Sequence, residues 1–217
     1  MIECPECEGR VSTEAVTCPH CGLPNSKRMF QERKIKSCGG PEVLAEIKKV
    51  KESGATEMTL FFEKITDLSP LAGLTKLEDL ALFGNQITDL SPLTELKNLE
   101  SLFLGVKQIT DLLPLKGLTN LKTLWLYDNQ ITDLSPLAGL TKLKFLNLGG
   151  IPITDLSSLT GLPNLKWLTL ICIPIADISP LAGLPKLEVL ALGGNEITDD
   201  EKTMLRKALP DCGIMFS

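Results

Sequence analysis

The residues in this 217-residue chain best placed to do chemistry are four cysteines near its start. Cys4-Pro5-Glu6-Cys7 and Cys18-Pro19-His20-Cys21-Gly22 are two C-x-x-C turns separated by ten residues. Two such turns let four thiolates close a tetrahedron around one soft divalent ion, and zinc suits that geometry. Four protein ligands fill the shell and leave no open position for water or substrate, so the expected role is structural. A module of about 25 residues has too little apolar core to fold alone and would depend on the metal. His20, the only histidine, reads as an exposed spacer inside the second knuckle, since the cysteines already complete the set.

Other reactive constellations are sparse. No phosphate-cradling Gly-Lys-Ser/Thr motif is present, and no nucleophile has an evident base, so an enzyme is not expected. A row of aspartates recurs at Asp67, Asp89, Asp111, Asp133, Asp155, Asp177 and Asp199. It has two readings, a calcium ladder or capping of the turns that follow. Capping is favoured, because calcium needs six or more oxygens per site. Cys38, Cys172 and Cys212 read as small buried apolar residues. Seven cysteines behind a start without a signal-peptide layout predict reduced thiols and a cytoplasmic protein. No apolar run approaches the length of a membrane span.

The elements that must carry these residues follow from a repeat. The stretch Ile65 to Gln86, ITDLSPLAGLTKLEDLALFGNQ, returns at constant length, with its Ile-(Thr/Ala)-Asp head at Ile65, Ile87, Ile109, Ile131, Ile153, Ile175 and Ile197. Self-similarity at a 22-residue period signals a solenoid. Within each unit the pattern is L-x-x-L-x-L-x-x-N-x-I, as in Leu77, Leu80, Leu82, Asn85 and Ile87. The L-x-L pair has the two-residue period of a strand. Asp-Leu-Ser-Pro-Leu then turns the chain: Ser91 is placed to cap, Pro92 to open a helix, and Gly73, Gly117, Gly139, Gly161 and Gly183 to stop it. The turn has room only for 3₁₀ or one-turn pieces. Successive strands are parallel and joined by right-handed crossovers. The Asn row is interrupted: Asn85, Asn129 and Asn195 fit it, whereas Glu63, Lys107, Ile151 and Ile173 do not. Local looseness is therefore expected around Ile151 and Ile173.

These residues resemble the bacterial leucine-rich repeat of the 22-residue internalin type, with its N-x-I-x-D-(I/L)-S-P-L consensus, over roughly Ala55 to Asp199. The resemblance implies an α/β solenoid, a right-handed superhelix with a parallel, concave β-sheet that binds a protein partner. The first segment is similar to the short bacterial zinc ribbon, CPxC…VSxxAxxCPxCG, with Val11 to Thr17 as its middle and Glu8 standing where Gly is common. Iron in a rubredoxin-like site is the rival metal, ranked lower because the aromatic shell of such a centre is missing. The expected organisation is a zinc ribbon over 1–24, a linker over 25–40, a capping helix over 41–54, repeats over 55–198 and a C-terminal cap over 199–217. In the first cap Leu44, Ile47 and Val50 share a face. In the second, Met204, Leu205 and Leu209 face inward before a closing strand at Cys212 to Phe216.

Residues flanking the inward leucines should point out of the sheet in three columns. Seven of the ten aromatics fall in them: Phe61, Phe83 and Tyr127 in one, Phe103 and Trp125 in another, Phe145 and Trp167 in the third. With strands ~4.8 Å apart the rings would track diagonally over on the order of 30 Å. Half-exposed, they would present roughly 500–900 Å², more than a monomer normally leaves open. This is the expected docking surface for a protein or peptide. The competing reading is that the rings stack on one another and only stabilise the sheet.

Charge gives the runner-up function. The chain carries a net −5, with thirteen Lys or Arg against nineteen Asp or Glu beyond residue 54, which disfavours nucleic acid along the repeats. Lys27, Arg28, Arg33, Lys34 and Lys36 against Glu32 form a short basic stretch. With the ribbon, it supports the alternative of a nucleic-acid-associated adaptor. A second short row, Lys122, Lys144 and Lys166, reads as a solvated edge.

Overall fold

The computed structural model describes residues 2–3, 10–11, 41–61, 64–105 and 108–216, and the chain forms two units, 1–36 and 37–217. In the first unit β1 (Ile2–Glu3) pairs antiparallel with β2 (Arg10–Val11), Ile2 opposite Val11. Cys4, Cys7, Cys18 and Cys21 lie outside the described residues, as do the basic stretch after residue 22 and Cys38.

The second unit opens with α1 (Pro41–Ser53) and continues through seven strands of three residues each. They are β3 (Glu57–Thr59), β4 (Asp79–Ala81), β5 (Ser101–Phe103), β6 (Thr123–Trp125), β7 (Phe145–Asn147), β8 (Trp167–Thr169) and β9 (Val189–Ala191). Then come α2 (Asp199–Ala208) and β10 (Gly213–Met215). All eight strands, β3 to β10, form one parallel sheet in chain order, with β10 beside β9 at its end. The register repeats the sequence period: Leu80 faces Leu102, Leu102 faces Leu124, and Leu124 faces Leu146.

Burial follows the two-residue alternation. Leu80, Leu82, Leu102, Leu104, Leu124 and Leu126 are wholly buried, and the leucines of the turns complete one continuous core. No single coil encloses its own leucines, so each is buried by its neighbours.

Between strands the chain makes 3₁₀ turns such as Ser69–Leu71, Ser91–Leu93 and Ser135–Leu137. The expectation that Ser91 caps its turn is corrected: Ser91 is the first helical residue, and the acceptor is Asp89 two residues earlier. Asp89 Oδ1 accepts the Ser91 amide at 2.8 Å and Oδ2 accepts its hydroxyl at 2.8 Å. The pair recurs at Asp67/Ser69, Asp133/Ser135, Asp155/Ser157 and Asp177/Ser179. Asp111 keeps only the amide bond, because Leu113 has no hydroxyl to offer. The backbone and hydroxyl donors of the following serine hold the carboxyls of Asp67, Asp89, Asp155 and Asp177 below the ordinary aspartate range. The oxygens a calcium ion would need are thus engaged in local turns.

The Asn positions tie one coil to the one before. Asn129 Oδ1 accepts the Ile109 amide at 3.1 Å, and its Nδ2 donates to the carbonyls of Leu104 and Leu126. Asn85 does the same with Ile65, Leu60 and Leu82, and Asn195 with Ile173, Leu170 and Leu192. The two described coils that carry isoleucine there show no break in the ladder. Ile151 and Ile173 are buried in its place, and the neighbouring Gly150 and Cys172 amides donate to the carbonyls of Ile171 and Gly193 in the next coil.

At the first end, α1 buries Val43, Ile47 and Val50, an i, i+4, i+7 stripe. The expected inward residue Leu44 is instead 54% exposed, because one residue along a helix turns the side chain by about 100°. At the other end, Thr198 and Glu201 form a reciprocal capping box that starts α2, which places Leu205 and Leu209 in the core with Met204 packed against it. Cys212 is half-buried, whereas Cys172 is exposed, contrary to its reading as a buried apolar residue. Cys172 sits at φ +53° in the tight turn after β8, where Gly84, Gly150 and Gly194 occupy the matching left-handed position of other coils. No helix among the described residues is long and apolar enough to cross a membrane.

Replacing Asn129 with Ala should strand one amide and two carbonyls in a fully buried slot. The expected loss is about 2–4 kcal/mol, read as a lower urea midpoint at unchanged m-value.

Candidate partner-binding face

The outward face of the sheet is built by the residues alternating with its leucines. Parallel in-register pairing stacks them in columns: Ser101, Thr123, Phe145, Trp167 and Val189 in one, Ala81, Phe103, Trp125, Asn147, Thr169 and Ala191 in the next. The third column, Phe61, Phe83, Gly105, Tyr127, Gly149, Ile171 and Gly193, lies just past the strand ends.

The seven sequence-predicted rings do not behave alike. Four of them pack into one cluster. Phe61 and Phe83 lie 5.5 Å apart between centroids, Phe83 and Phe103 6.0 Å, and Trp125 sets its ring edge-on to Phe103 at 5.5 Å and to Phe83 at 6.5 Å. The spacing of neighbouring strands brings diagonal rings into contact distance, and tilted or edge-on geometry is favoured by the ring quadrupoles. As a result Trp125 is 2% exposed and Phe83 7%. The expectation that these two are open to a partner is therefore corrected. They are also absent from the leucine core, so they form a second apolar layer on the opposite side of the sheet.

The remaining rings keep more of their surface. Phe61 and Phe103 at the rim of that cluster, and Tyr127, Phe145 and Trp167 beyond it, are all partly buried. Phe145 and Trp167 are directly opposite each other across β7 and β8, and neither pairs with another ring among the described residues. Trp167 is held by its indole Nε1, which donates to Thr169 Oγ1 at 3.2 Å. Asn147 is buried, and its Oδ1 accepts the Gly149 amide at 3.0 Å. The Tyr127 ring lies over Gly149, where a Cβ would stand 3.1 Å from Tyr127 Cδ2. Glycine there lets the ring lie flat along the face. The result is a face with two parts: a cluster of rings in mutual contact over β3 to β6, in which Phe83 and Trp125 are buried, and a group of partly buried rings, Tyr127, Phe145 and Trp167, over β6 to β8.

The polar positions Asn147 and Thr169 were readable only as outward residues. Their role in fixing the loop at Gly149 and the Trp167 indole depends on rotamers that the sequence does not encode. No group of three or more potential metal ligands occurs among the described residues.

The leucine-rich repeat pattern matches residues 75–117 and 119–161 as two copies, and a further single repeat matches 183–200. Among solved structures, an internalin (inlF) from Listeria monocytogenes is 34% identical with a TM-score of 0.72, covering 81% of this chain and 55% of its own. An internalin C2 (inlC2) from the same organism is 39% identical with a TM-score of 0.67, covering 74% of this chain and 70% of its own. A leucine-rich repeat protein from Leptospira interrogans is 30% identical with a TM-score of 0.65, covering 70% of this chain and 40% of its own. The chain thus spans little more than half the length of the first of these relatives. Among curated proteins none matches it.

The ring cluster makes Trp125 structural. Trp125→Ala should cost about 3 kcal/mol or more in a denaturation curve, in contrast to an exposed ring.

Proposed function

Because the chain belongs to the internalin-type leucine-rich repeat family, we propose that it is a non-enzymatic interaction module that holds a protein or peptide on the concave face of its sheet. The observation that carries this reading is the pair Phe145 and Trp167. Two large rings stand side by side on a rigid ladder, partly open to solvent and stacked on no other ring among the described residues. Aromatic side chains on a rigid scaffold give large contact area at small entropic cost, the usual composition of a binding hot spot. Tyr127 adds a third ring beside them, and Phe61, Phe83, Phe103 and Trp125 form the ring cluster on the preceding coils. The two terminal helices serve as caps that cover the leucines of the first and last coils.

The N-terminal segment adds a structural zinc ribbon in this reading, with Cys4, Cys7, Cys18 and Cys21 as thiolate ligands in a reducing, cytoplasmic setting. The donor set supports it, and so does the pairing of β1 with β2, which draws together the two ends of the segment bearing Cys4 and Cys7. Four thiolates would supply folding energy and no catalysis.

Two measurements check these readings. Affinity capture from the source cell should lose its specific partner with the double variant Phe145→Ala/Trp167→Ala, while its circular dichroism shows the repeat fold intact at the assay temperature. Capture that survives the double change removes the concave face from the mechanism. Elemental analysis of the purified chain should find one zinc per chain, lost on Cys18→Ser. Iron, or no metal, would overturn the ribbon.

A further inference from the structure

One flank of the solenoid carries a charge pattern that the ring face does not explain. The residue just before each strand, one per coil, reads Glu78, Glu100, Lys122, Lys144, Lys166, Glu188. Acidic ends thus bracket three consecutive cations. The outer two lysines are turned away from the middle one. Lys122 Nζ pairs with Glu100 at 2.6 Å, and Lys166 Nζ pairs with Glu188. Lys144 is exposed, and its amine makes no hydrogen bond or ion pair among the described residues.

A second row two residues upstream frames this cation. Lys142 Nζ donates to Asn120 Oδ1 at 2.8 Å, Lys186 Nζ donates to Asn164 Oδ1 at 2.6 Å, and Asn164 Nδ2 donates to the Thr141 carbonyl at 2.9 Å. Lys122, Lys142, Lys144 and Asn164 line a shallow depression of about 290 Å³. Of the residues that line it, Lys142 and Asn164 are thus each hydrogen-bonded to a neighbouring coil. The depression is a local cationic spot on a chain with a net charge of −5. Two of the lysines in the row, Lys144 and Lys166, immediately precede Phe145 and Trp167 in the chain.

We propose that this depression receives the carboxylate side chains of an acidic segment of the protein partner, anchored by Lys144 and assisted by Lys142. The proposal rests on the concave-face reading for the nature of the partner and adds its chemistry: acidic residues beside the apolar group that meets Phe145 and Trp167. A carboxylate completes the row, giving the central amine the counter-charge its two neighbours already have. Because the site is open, the contact is screened by salt and serves to orient and select more than to hold.

The test uses a fluorescein-labelled hexaglutamate peptide and the full chain, followed by fluorescence anisotropy. At about 20 mM salt, where the screening length is long, binding should be saturable, and it should weaken severalfold at about 150 mM. Lys142→Glu/Lys144→Glu should weaken it at least about tenfold and Lys144→Gln about threefold, with unchanged circular dichroism. Lys48→Glu/Lys49→Glu, the same charge change on the exposed side of α1, should leave it within about twofold. Carbodiimide coupling should attach the peptide at Lys142 or Lys144. The ring variant Phe145→Ala/Trp167→Ala should still bind hexaglutamate, which separates failure of this site from failure of the ring face. Equal loss in both lysine pairs, or coupling only within residues 27–36, overturns the proposal. Tighter binding of a single-stranded oligonucleotide of equal charge at the same lysines also overturns it, in favour of nucleic acid.

Discussion

A three-residue strand cannot stand alone, and neither can the leucines on either side of it. Every element of the repeat unit depends on lateral pairing with the unit before and after, through strand amides in register and through asparagine side chains that cross from coil to coil. That dependence explains the constancy of the 22-residue period. A coil one residue longer would turn Leu102 away from Leu80 and Leu124, and a strand's two-residue alternation would then send its core leucines to the wrong side. The Asp–Ser turns serve the same end. They satisfy amides at the start of each 3₁₀ piece from within the coil, so the turn geometry repeats without help from its neighbours.

The scaffold leaves its outward positions free to vary, and the chain has used them unevenly. Over β4 to β6 large rings close on one another and bury Trp125. Over β7 and β8 the inner column changes to Asn147 and Thr169, short polar residues that cannot extend the ring cluster. The rings Phe145 and Trp167 beside them are therefore less buried than Phe83 and Trp125. The alternation of glycine with Tyr127 and Ile171 past the strand ends lowers the rim there.

Periodicity made the solenoid legible in the sequence. The leucine rows, the register, the 3₁₀ turns and the asparagine ladder all follow from residues repeating at one interval, and the structure places them accordingly. What escaped was lateral and rotational. Leu44 and Val43 are adjacent apolar residues at the start of a helix, and only the docked helix decides which one turns inward. Trp125 sits at an outward position by any strand rule, yet its exposure is set by how Phe83 and Phe103 lean across neighbouring coils. Ile151 and Ile173 look like gaps in a polar row, but in the structure they fill those gaps as apolar contacts. Pattern specifies which side of the sheet a residue takes. It does not specify what lies on top of it there.

The parallel ladder has a consequence for recognition. Each strand of β4 to β9 has neighbours on both sides, so its main-chain donors and acceptors are committed to adjacent rungs. A guest resting on the broad face finds no backbone to zip onto and must be distinguished by side chains alone. Selectivity toward any such guest would be written in residues whose replacement leaves the frame standing, so the outward positions are free to drift while the architecture beneath them stays the same.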